Sequence, residues 1–214
     1  MNKKSSISSE VSPLSGNEIK KLVVMLHGLG SDGNDMISIV PFFQQDITDA
    51  LFFAPNGIEA YDAGNFGMQW FSAINKSEHA MQLLLQNNIS KIYEIISKKQ
   101  VELSLTNRET IIIGFSQGSM VGLYLTLTQQ MPFLAMISFS GKLITPRTVT
   151  NHITPICLIH GSTDKIITPD HTSATSEFLN KYNIYNSKLI IPNLGHSIDF
   201  EGINFAIKFL NLIK

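Results

Sequence analysis

Six short runs of apolar, often β-branched residues recur along the chain, and turn-forming or small polar residues follow each run. The runs cover residues 21–26, 51–54, 109–113, 134–139, 155–159 and 188–191. Apart from their ends, they show no alternation of apolar and polar positions, which is typical of strands covered on both faces. The pattern therefore predicts six strands of a buried, mostly parallel sheet.

Between these runs, apolar residues recur at intervals of three and four positions, which is the spacing of one face of a helix. The clearest stripe consists of Met81, Leu85, Ile89, Ile92 and Ile96. Strands that alternate with helices indicate an α/β fold in which helices cover both faces of the central sheet. No repeat or linker interrupts residues 17–214, so we predict a single domain there, preceded by a flexible tail over residues 1–16.

Composition narrows the class of protein without indicating an activity. The 214 residues suffice for one domain, and a formal net charge of −1 without a basic cluster gives no reason to expect nucleic acid as a partner. No apolar run is long enough for a transmembrane segment, and the first residues contain no apolar signal core, so the expected location is cytoplasmic. The single cysteine, Cys157, lies in a strand run and is expected to be a buried, inert thiol.

The third predicted strand ends in a pattern with chemical meaning. Gly114, Ser116 and Gly118 form a G-x-S-x-G sequence, and a helical pattern begins within three residues of the strand. Glycines at these positions avoid collisions in a tight strand-to-helix turn, which holds the serine hydroxyl clear of the backbone. The pentapeptide is weak on its own, but its position between a buried strand and a helix predicts a nucleophile elbow.

Two further reactive side chains follow later strands, Asp164 after residues 155–159 and His196 after residues 188–191. The carboxyl ends of parallel strands share one edge of a sheet, so we expect both to lie near Ser116. The order Ser, Asp, His along the chain is that of the α/β-hydrolases. In this interpretation the serine attacks, the histidine takes and returns its proton, and the aspartate orients the imidazole.

Other histidines and acids at this edge have simpler explanations. His27 and His160 each precede a glycine in a turn, where a hydrogen bond to nearby backbone is expected. Asp170 and Asp199 fit the first turns of helices. Asp164 also fits a turn, but its position after the penultimate strand favours the catalytic role. A metal site built from His27, His160, His196 and Asp164 would lack helix-borne ligand spacing, so no metal is predicted.

The negative charge that develops on an attacked carbonyl requires fixed hydrogen-bond donors. In this architecture one donor is the backbone N–H of the residue after the nucleophile, here Gln117. The other comes from the loop after the first core strand, where Leu29 is the natural choice. The side chain of Gln117 has no required part and is expected to make only surface hydrogen bonds.

Six blocks of sequence resemble a known family in content, order and spacing. They are LHGLGSDGND (26–35), FAPNG (53–57), QWF (69–71), GFSQGS (114–119), HGSTD (160–164) and LGHS (194–197). They look like the phospholipase/carboxylesterase family, which includes bacterial carboxylesterases and acyl-protein thioesterases. The resemblance implies an α/β-hydrolase fold without a large cap domain and a serine esterase or thioesterase that needs no cofactor. It implies Ser116, Asp164 and His196 as the catalytic triad, with Leu29 and Gln117 as oxyanion donors.

The substrate groove is expected around residues 55–74, a stretch without clear periodicity. Loops of this length in a compact domain are commonly functional. The apolar side chains expected to contact an acyl chain there are Phe66, Met68, Trp70 and Phe71. The resemblance implies substrate contact for the tryptophan, and a core position accounts for it equally well. Residues 142–154 are too few for an inserted helical cap, so the groove is expected to be open.

These features predict a serine hydrolase that cleaves carboxylic esters or thioesters of short-to-medium acyl chains through an acyl-serine intermediate, with longer chains left open. The expected substrates are small-molecule or lipid-like acyl esters and thioesters, or an acylated protein. A lysophospholipase, or an amide or peptide hydrolase with the same triad, is the alternative. A non-catalytic acyl-chain binder is the least favoured hypothesis, because every reactive position is filled. The oligomeric state does not follow from the sequence.

Overall fold

A seven-stranded sheet runs through the part of the chain that the computed structural model describes, residues 8–75 and 77–213. In chain order the strands are β1 (Ser8–Val11), β2 (Lys21–Leu26), β3 (Ala50–Pro55), β4 (Glu59–Ala60), β5 (Met68–Gln69), β6 (Thr110–Phe115), β7 (Ala135–Phe139), β8 (Ile156–Gly161) and β9 (Asn186–Ile191). The sheet order is β1-β3-β2-β6-β7-β8-β9, and β4 pairs with β5 in a separate hairpin. Every neighbouring pair in the large sheet is parallel except β1 and β3.

Helices cover both faces of this sheet, as the alternating pattern predicts. They are α1 (Gly33–Ile37), α2 (Val40–Gln44), α3 (Glu78–Leu103), α4 (Gln117–Thr128), α5 (Asp170–Lys181) and α6 (Phe200–Leu212). Successive residues of β6 serve opposite faces: Ile112 packs in the cluster that includes Leu85 of α3, and Ile113 in the cluster that includes Phe209 of α6. None of the described helices combines the length and the apolar character needed to cross a membrane.

The amino-terminal segment differs from the prediction of a flexible tail over residues 1–16. Residues 1–7 lie outside the described part of the chain, but Ser8–Val11 forms β1 and pairs antiparallel with β3, with Ser8 opposite Pro55. Glu10 of this strand also forms an ion pair with Lys99, 2.9 Å between Oε1 and Nζ. An edge strand is hydrogen-bonded to a neighbour on one side only, so it needs no apolar periodicity. The sequence of β1 therefore carries no pattern that predicts a strand.

Two loops above the carboxyl edge of the sheet are joined to each other. In the stretch 55–74, Met68 forms an isolated antiparallel bridge with Ser31, which belongs to the loop after β2. The bridge includes hydrogen bonds from Met68 N to Ser31 O at 2.8 Å and from Gly30 N to Met68 O at 2.9 Å. Residues 142–155, all of them described, contain no helix, so the expected absence of a large cap agrees with the structure.

Candidate active site

Ser116 occupies a strained turn between β6 and α4. Its φ of 53° lies in a region that residues other than glycine rarely adopt, and such a conformation persists only where the surroundings enforce it. A Cβ on Gly114 would lie 2.5 Å from Gly118 O, and a Cβ on Gly118 would overlap Leu26 O. The Ser116 N–H donates to Phe139 O of β7 at 3.0 Å. Close packing on both sides therefore holds this turn in place.

The structure brings the three side chains expected to react into one hydrogen-bonded chain. Ser116 Oγ lies 2.9 Å from Nε2 of His196, and Nδ1 of the same ring lies 2.7 Å from Oδ2 of Asp164. With the ring proton on Nδ1, the imidazole donates to the carboxylate and its Nε2 can accept the serine proton. These residues are 80 and 32 positions apart along the chain, so only the shared edge of the sheet unites them.

Asp164 is held as a buried carboxylate. Its Oδ1 accepts the backbone N–H groups of Ile166 at 2.8 Å and Ile167 at 3.0 Å. Burial disfavours the charged form, but the hydrogen bonds from His196 and from these two amides outweigh it and lower the pKa of Asp164 below its ordinary value. The carboxylate is therefore ionised at neutral pH, beside the imidazole.

The other two histidines at this edge have different surroundings. For His27 the expected bond to nearby backbone is confirmed: Nδ1 lies 2.7 Å from Gly28 O, and Nε2 accepts from Gly57 N at 2.8 Å. Burial lowers the pKa of His27, which keeps the ring neutral. For His160 the expectation is incomplete, because Nε2 lies 2.7 Å from Ile167 O and also 3.1 Å from Oδ2 of Asp164. Within the described ranges, no cluster of three or more histidine, cysteine or acidic side chains could hold a metal ion.

The two backbone groups expected to bind an oxyanion stand beside Ser116. Leu29 and Gln117 both line a cleft with the serine, and Gln117 is the first residue of α4. Across residues 8–75 and 77–213, neither N–H is paired with an acceptor of the protein. Both donors are therefore free for a ligand, and the partial positive charge of a helix amino terminus adds to the second.

The side chain of Gln117 joins the elbow to the stretch 55–74, a role that the sequence pattern does not predict. It is buried rather than on the surface, so that expectation is corrected. Its Oε1 accepts from Trp70 N at 2.9 Å, and its Nε2 donates to Phe71 O at 2.8 Å. The glutamine therefore satisfies two backbone groups of the stretch 55–74 and fixes that stretch to the elbow. Nothing in the local pattern signals such a long-range contact.

Two clefts border Ser116, and Leu29 lines both of them. The apolar cleft, with a volume of about 170 Å³, is lined by Leu29, Phe71, Ala73, Met81, Ser116, Gln117, Met120, Lys142, Ile166 and Ile167. The histidine cleft, with a volume of about 470 Å³, has Ser31, Asp35, Phe115, Ser116, His196 and Ser197 among its lining residues. Ser116 therefore lines two clefts, and His196 lines only the histidine cleft.

Only one of the four predicted groove residues lines the apolar cleft. Phe71 does so, whereas Phe66 is 89% exposed and Met68 lies in the hairpin, outside both clefts. Trp70 has no exposed surface and donates from Nε1 to His27 O at 2.9 Å, so its expected substrate contact is corrected to a core position. Ile166 and Ile167 also line the apolar cleft, although they were not among the predicted groove residues. The one feature of the sequence that could have indicated a groove position is the pair of adjacent isoleucines in the polar loop after Asp164.

Comparison with known proteins places the chain in a family. A sequence profile described as phospholipase/carboxylesterase matches residues 10–214. The chain belongs to the phospholipase/carboxylesterase family. It is 30% identical over 194 residues to esterase YpfH of Escherichia coli K12, which covers 89% of this chain and 82% of that protein. It is also 30% identical over 200 residues to acyl-protein thioesterase 1 homolog 1 of Dictyostelium discoideum, with 88% of each chain covered.

The fold agrees with this membership. The crystal structure of esterase PE8 superposes with a TM-score of 0.90 at 29% identity, covering 97% of this chain and 98% of that one. The predicted α/β-hydrolase fold and the predicted resemblance are both confirmed. The chain is a serine hydrolase of the carboxylesterase and thioesterase class, and its substrates are acyl esters or thioesters.

Proposed function

We propose that Ser116, His196 and Asp164 are the catalytic triad of this hydrolase. The observation that carries the proposal is the pair of hydrogen bonds that joins them, 2.9 Å from serine to imidazole and 2.7 Å from imidazole to carboxylate. A serine hydroxyl is a poor nucleophile at neutral pH and reacts when a base takes its proton. Attack of Oγ on the acyl carbon forms the Oγ–C bond as the proton passes to Nε2 of His196.

Collapse of the tetrahedral intermediate breaks the bond to the leaving group, which takes the proton from His196. Water then repeats the sequence on the acyl-serine and releases the acid. The free backbone N–H groups of Leu29 and Gln117 are the proposed donors to the oxyanion in both halves. Asp164 keeps the imidazole in the required tautomer and stabilises its protonated form.

The two clefts have different parts in this proposal. The leaving group must receive a proton from His196, so it belongs in the histidine cleft, which that ring lines. The acyl chain then occupies the apolar cleft, whose lining is mostly aliphatic and aromatic. A cleft of about 170 Å³ suits short-to-medium acyl groups, while the larger, open histidine cleft suits a bulky alcohol or thiol, including a lipid-like group or the cysteine of an acylated protein. We also propose that residues 17–214 act as one domain, together with the edge strand Ser8–Val11 that pairs with β3.

The test is labelling with a fluorophosphonate probe, followed by assays on matched acyl esters, thioesters and amides. The wild-type protein is expected to be labelled and to hydrolyse esters and thioesters, and Ser116→Ala to lose both properties. Ser97→Ala, on the surface helix α3, serves as the control and should behave as wild type. Labelling that survives in Ser116→Ala would place the nucleophile elsewhere, and amide turnover equal to ester turnover would favour the amide or peptide hydrolase.

A further inference from the structure

Lys142 is the only charged side chain among the described residues that line the apolar cleft. It follows Gly141, where a Cβ would lie 3.4 Å from the backbone oxygen of Ser116. Lys142 therefore leaves the backbone one residue beyond a direct contact with the elbow. Lys142 lines the same cleft as Leu29, Gln117, Ile166 and Ile167.

Lys142 forms no salt bridge with any other residue that the structure describes. In the described part of the chain, no carboxylate lies within 4.0 Å of its Nζ, although Lys142 is partly buried. A lysine stem packs readily against apolar surface while its ammonium seeks water or an anion. The apolar cleft thus combines a mostly apolar lining with one lysine that no described carboxylate contacts within 4.0 Å.

The surroundings restrict which part of a substrate could carry the matching negative charge. The histidine cleft contains Asp35, a carboxylate that would repel an anionic leaving group. Lys142 also lines a second cavity of about 260 Å³, together with Glu78 and His171, so a carboxylate carried past the lysine toward Glu78 would meet like charge. A negative charge on the substrate therefore fits Lys142 best when it lies at the far end of an acyl group of limited length.

We propose that the apolar cleft accepts acyl groups that end in a carboxylate, so that Lys142 selects half-esters or half-thioesters of dicarboxylic acids. The proposal rests on the proposed function, because it assigns the acyl group to this cleft. The reacting ester end lies at Ser116, the methylene groups contact Phe71 and Ile167, and the distal carboxylate binds the lysine. Lys142 acts on specificity and takes no part in bond making or breaking.

The experiment compares monoethyl adipate with ethyl hexanoate, which have acyl chains of equal length and differ in the terminal carboxylate. The measured quantity is the ratio of their kcat/KM values. In Lys142→Met this ratio should fall about tenfold, the size expected for one charged contact at a partly buried site. Lys142→Arg should retain most of the ratio. The control Lys165→Met removes an exposed lysine that precedes the cleft residue Ile166 in the chain, and it should leave the ratio at its wild-type value.

A measurement on the wild-type protein gives an independent test that needs no variant. Added potassium chloride should lower the ratio, because salt screens the attraction between the lysine and the carboxylate. A ratio that does not change with salt, or that is the same in Lys142→Met as in wild type, overturns the proposal. An equal fall of the ratio in Lys165→Met also overturns the proposal, because it would mean that the overall positive charge of the surface attracts the substrate and not a contact with Lys142.

A third ester separates the two sides of the site. In the hexanoyl ester of glycolic acid the carboxylate is on the alcohol, and Lys142→Met should change its turnover less than that of monoethyl adipate. The reverse result would put the anion on the leaving group and contradict the proposal. Failure of the proposed function would look different, since the wild-type protein would then hydrolyse neither ethyl ester and Ser116 would not be labelled.

Discussion

The imidazole Nε2 of His160 lies 3.1 Å from Oδ2 of Asp164, the oxygen that also accepts from His196. The same nitrogen is 2.7 Å from Ile167 O, and Nδ1 is 2.7 Å from Thr172 Oγ1. His160 therefore connects the carboxylate to the loop whose amides bind it and to α5. It is a positioning residue for Asp164 rather than a group that meets the substrate.

Replacing His160 should impair the orientation of Asp164 without removing it. We expect His160→Leu to lower kcat about tenfold with a smaller change in KM, and to destabilise the fold by about 1–3 kcal/mol because Ile167 O and Thr172 Oγ1 lose a buried partner. His160→Gln keeps a polar group near that position and should recover part of kcat. Steady-state kinetics and urea unfolding check both effects. Loss of stability with kcat unchanged would reduce His160 to a structural role.

Asp164 should make stability depend on pH in the acidic range. Its pKa in the folded protein is lowered relative to the unfolded chain, so the native state binds the proton less readily. The resulting stabilisation is fully present above the unfolded value, about 3.9, and is lost as the pH falls through the lower folded value. In Asp164→Asn the unfolding free energy should fall less steeply below about pH 4 than in wild type. Parallel pH curves for the two proteins would contradict this.

Gln117 should be needed for stability and for the shape of the apolar cleft. Gln117→Met keeps the length of the side chain but leaves Trp70 N and Phe71 O without their partner, which should destabilise the protein by about 2–4 kcal/mol. Because Phe71 lines the cleft, KM for acyl esters should also rise. Gln130→Met, at an exposed position after α4, is the matched control. Equal stability of the two variants in urea would show that the buried bonds contribute little.

The parts of this molecule that the sequence predicts are those with local signals. Every one of the six predicted strands is present, because unbroken apolar runs flanked by turn residues reflect burial on both faces. The meeting of Ser116, Asp164 and His196 was predictable because the topology of a parallel sheet sends strand ends to one edge. Strand β1 was not predictable, because the sequence of a polar edge strand resembles that of a flexible tail.

What the sequence could not predict depends on contacts that the local pattern does not signal. Trp70 was expected at the substrate and is buried against His27, and the pattern of residues 55–74 does not distinguish these positions. Gln117 and His160 occupy motif positions, but their partners are 46 or 47 residues away for the first and 4 to 12 away for the second. Nothing in the sequence singles out Lys142, and only the folded chain shows that it lines the apolar cleft.

Two glycines of α4 offer a direct test of the packing around the elbow. On helix propensity alone, alanine should stabilise either position by about 1 kcal/mol. At Gly118, however, the added Cβ would overlap the backbone oxygen of Leu26 and lie 2.7 Å from His27 O, and neither can move without shifting β2 and the loop that carries Leu29. At Gly122 the nearest atom is Cε of Met136, at 2.5 Å, the end of a flexible side chain that can adopt another rotamer.

We therefore expect Gly118→Ala to destabilise the protein by about 3 kcal/mol or more and to abolish hydrolysis, whereas Gly122→Ala should stay within about 1 kcal/mol of wild type and remain active. Thermal unfolding and the ester assay measure both properties, and the shared helix cancels the propensity term between the two variants. Gly195→Ala adds a control beside His196, because a Cβ there meets nothing within 4 Å. If Gly118→Ala and Gly122→Ala were equally stable, contact between the helix and β2 would not be what holds Ser116 in its strained conformation.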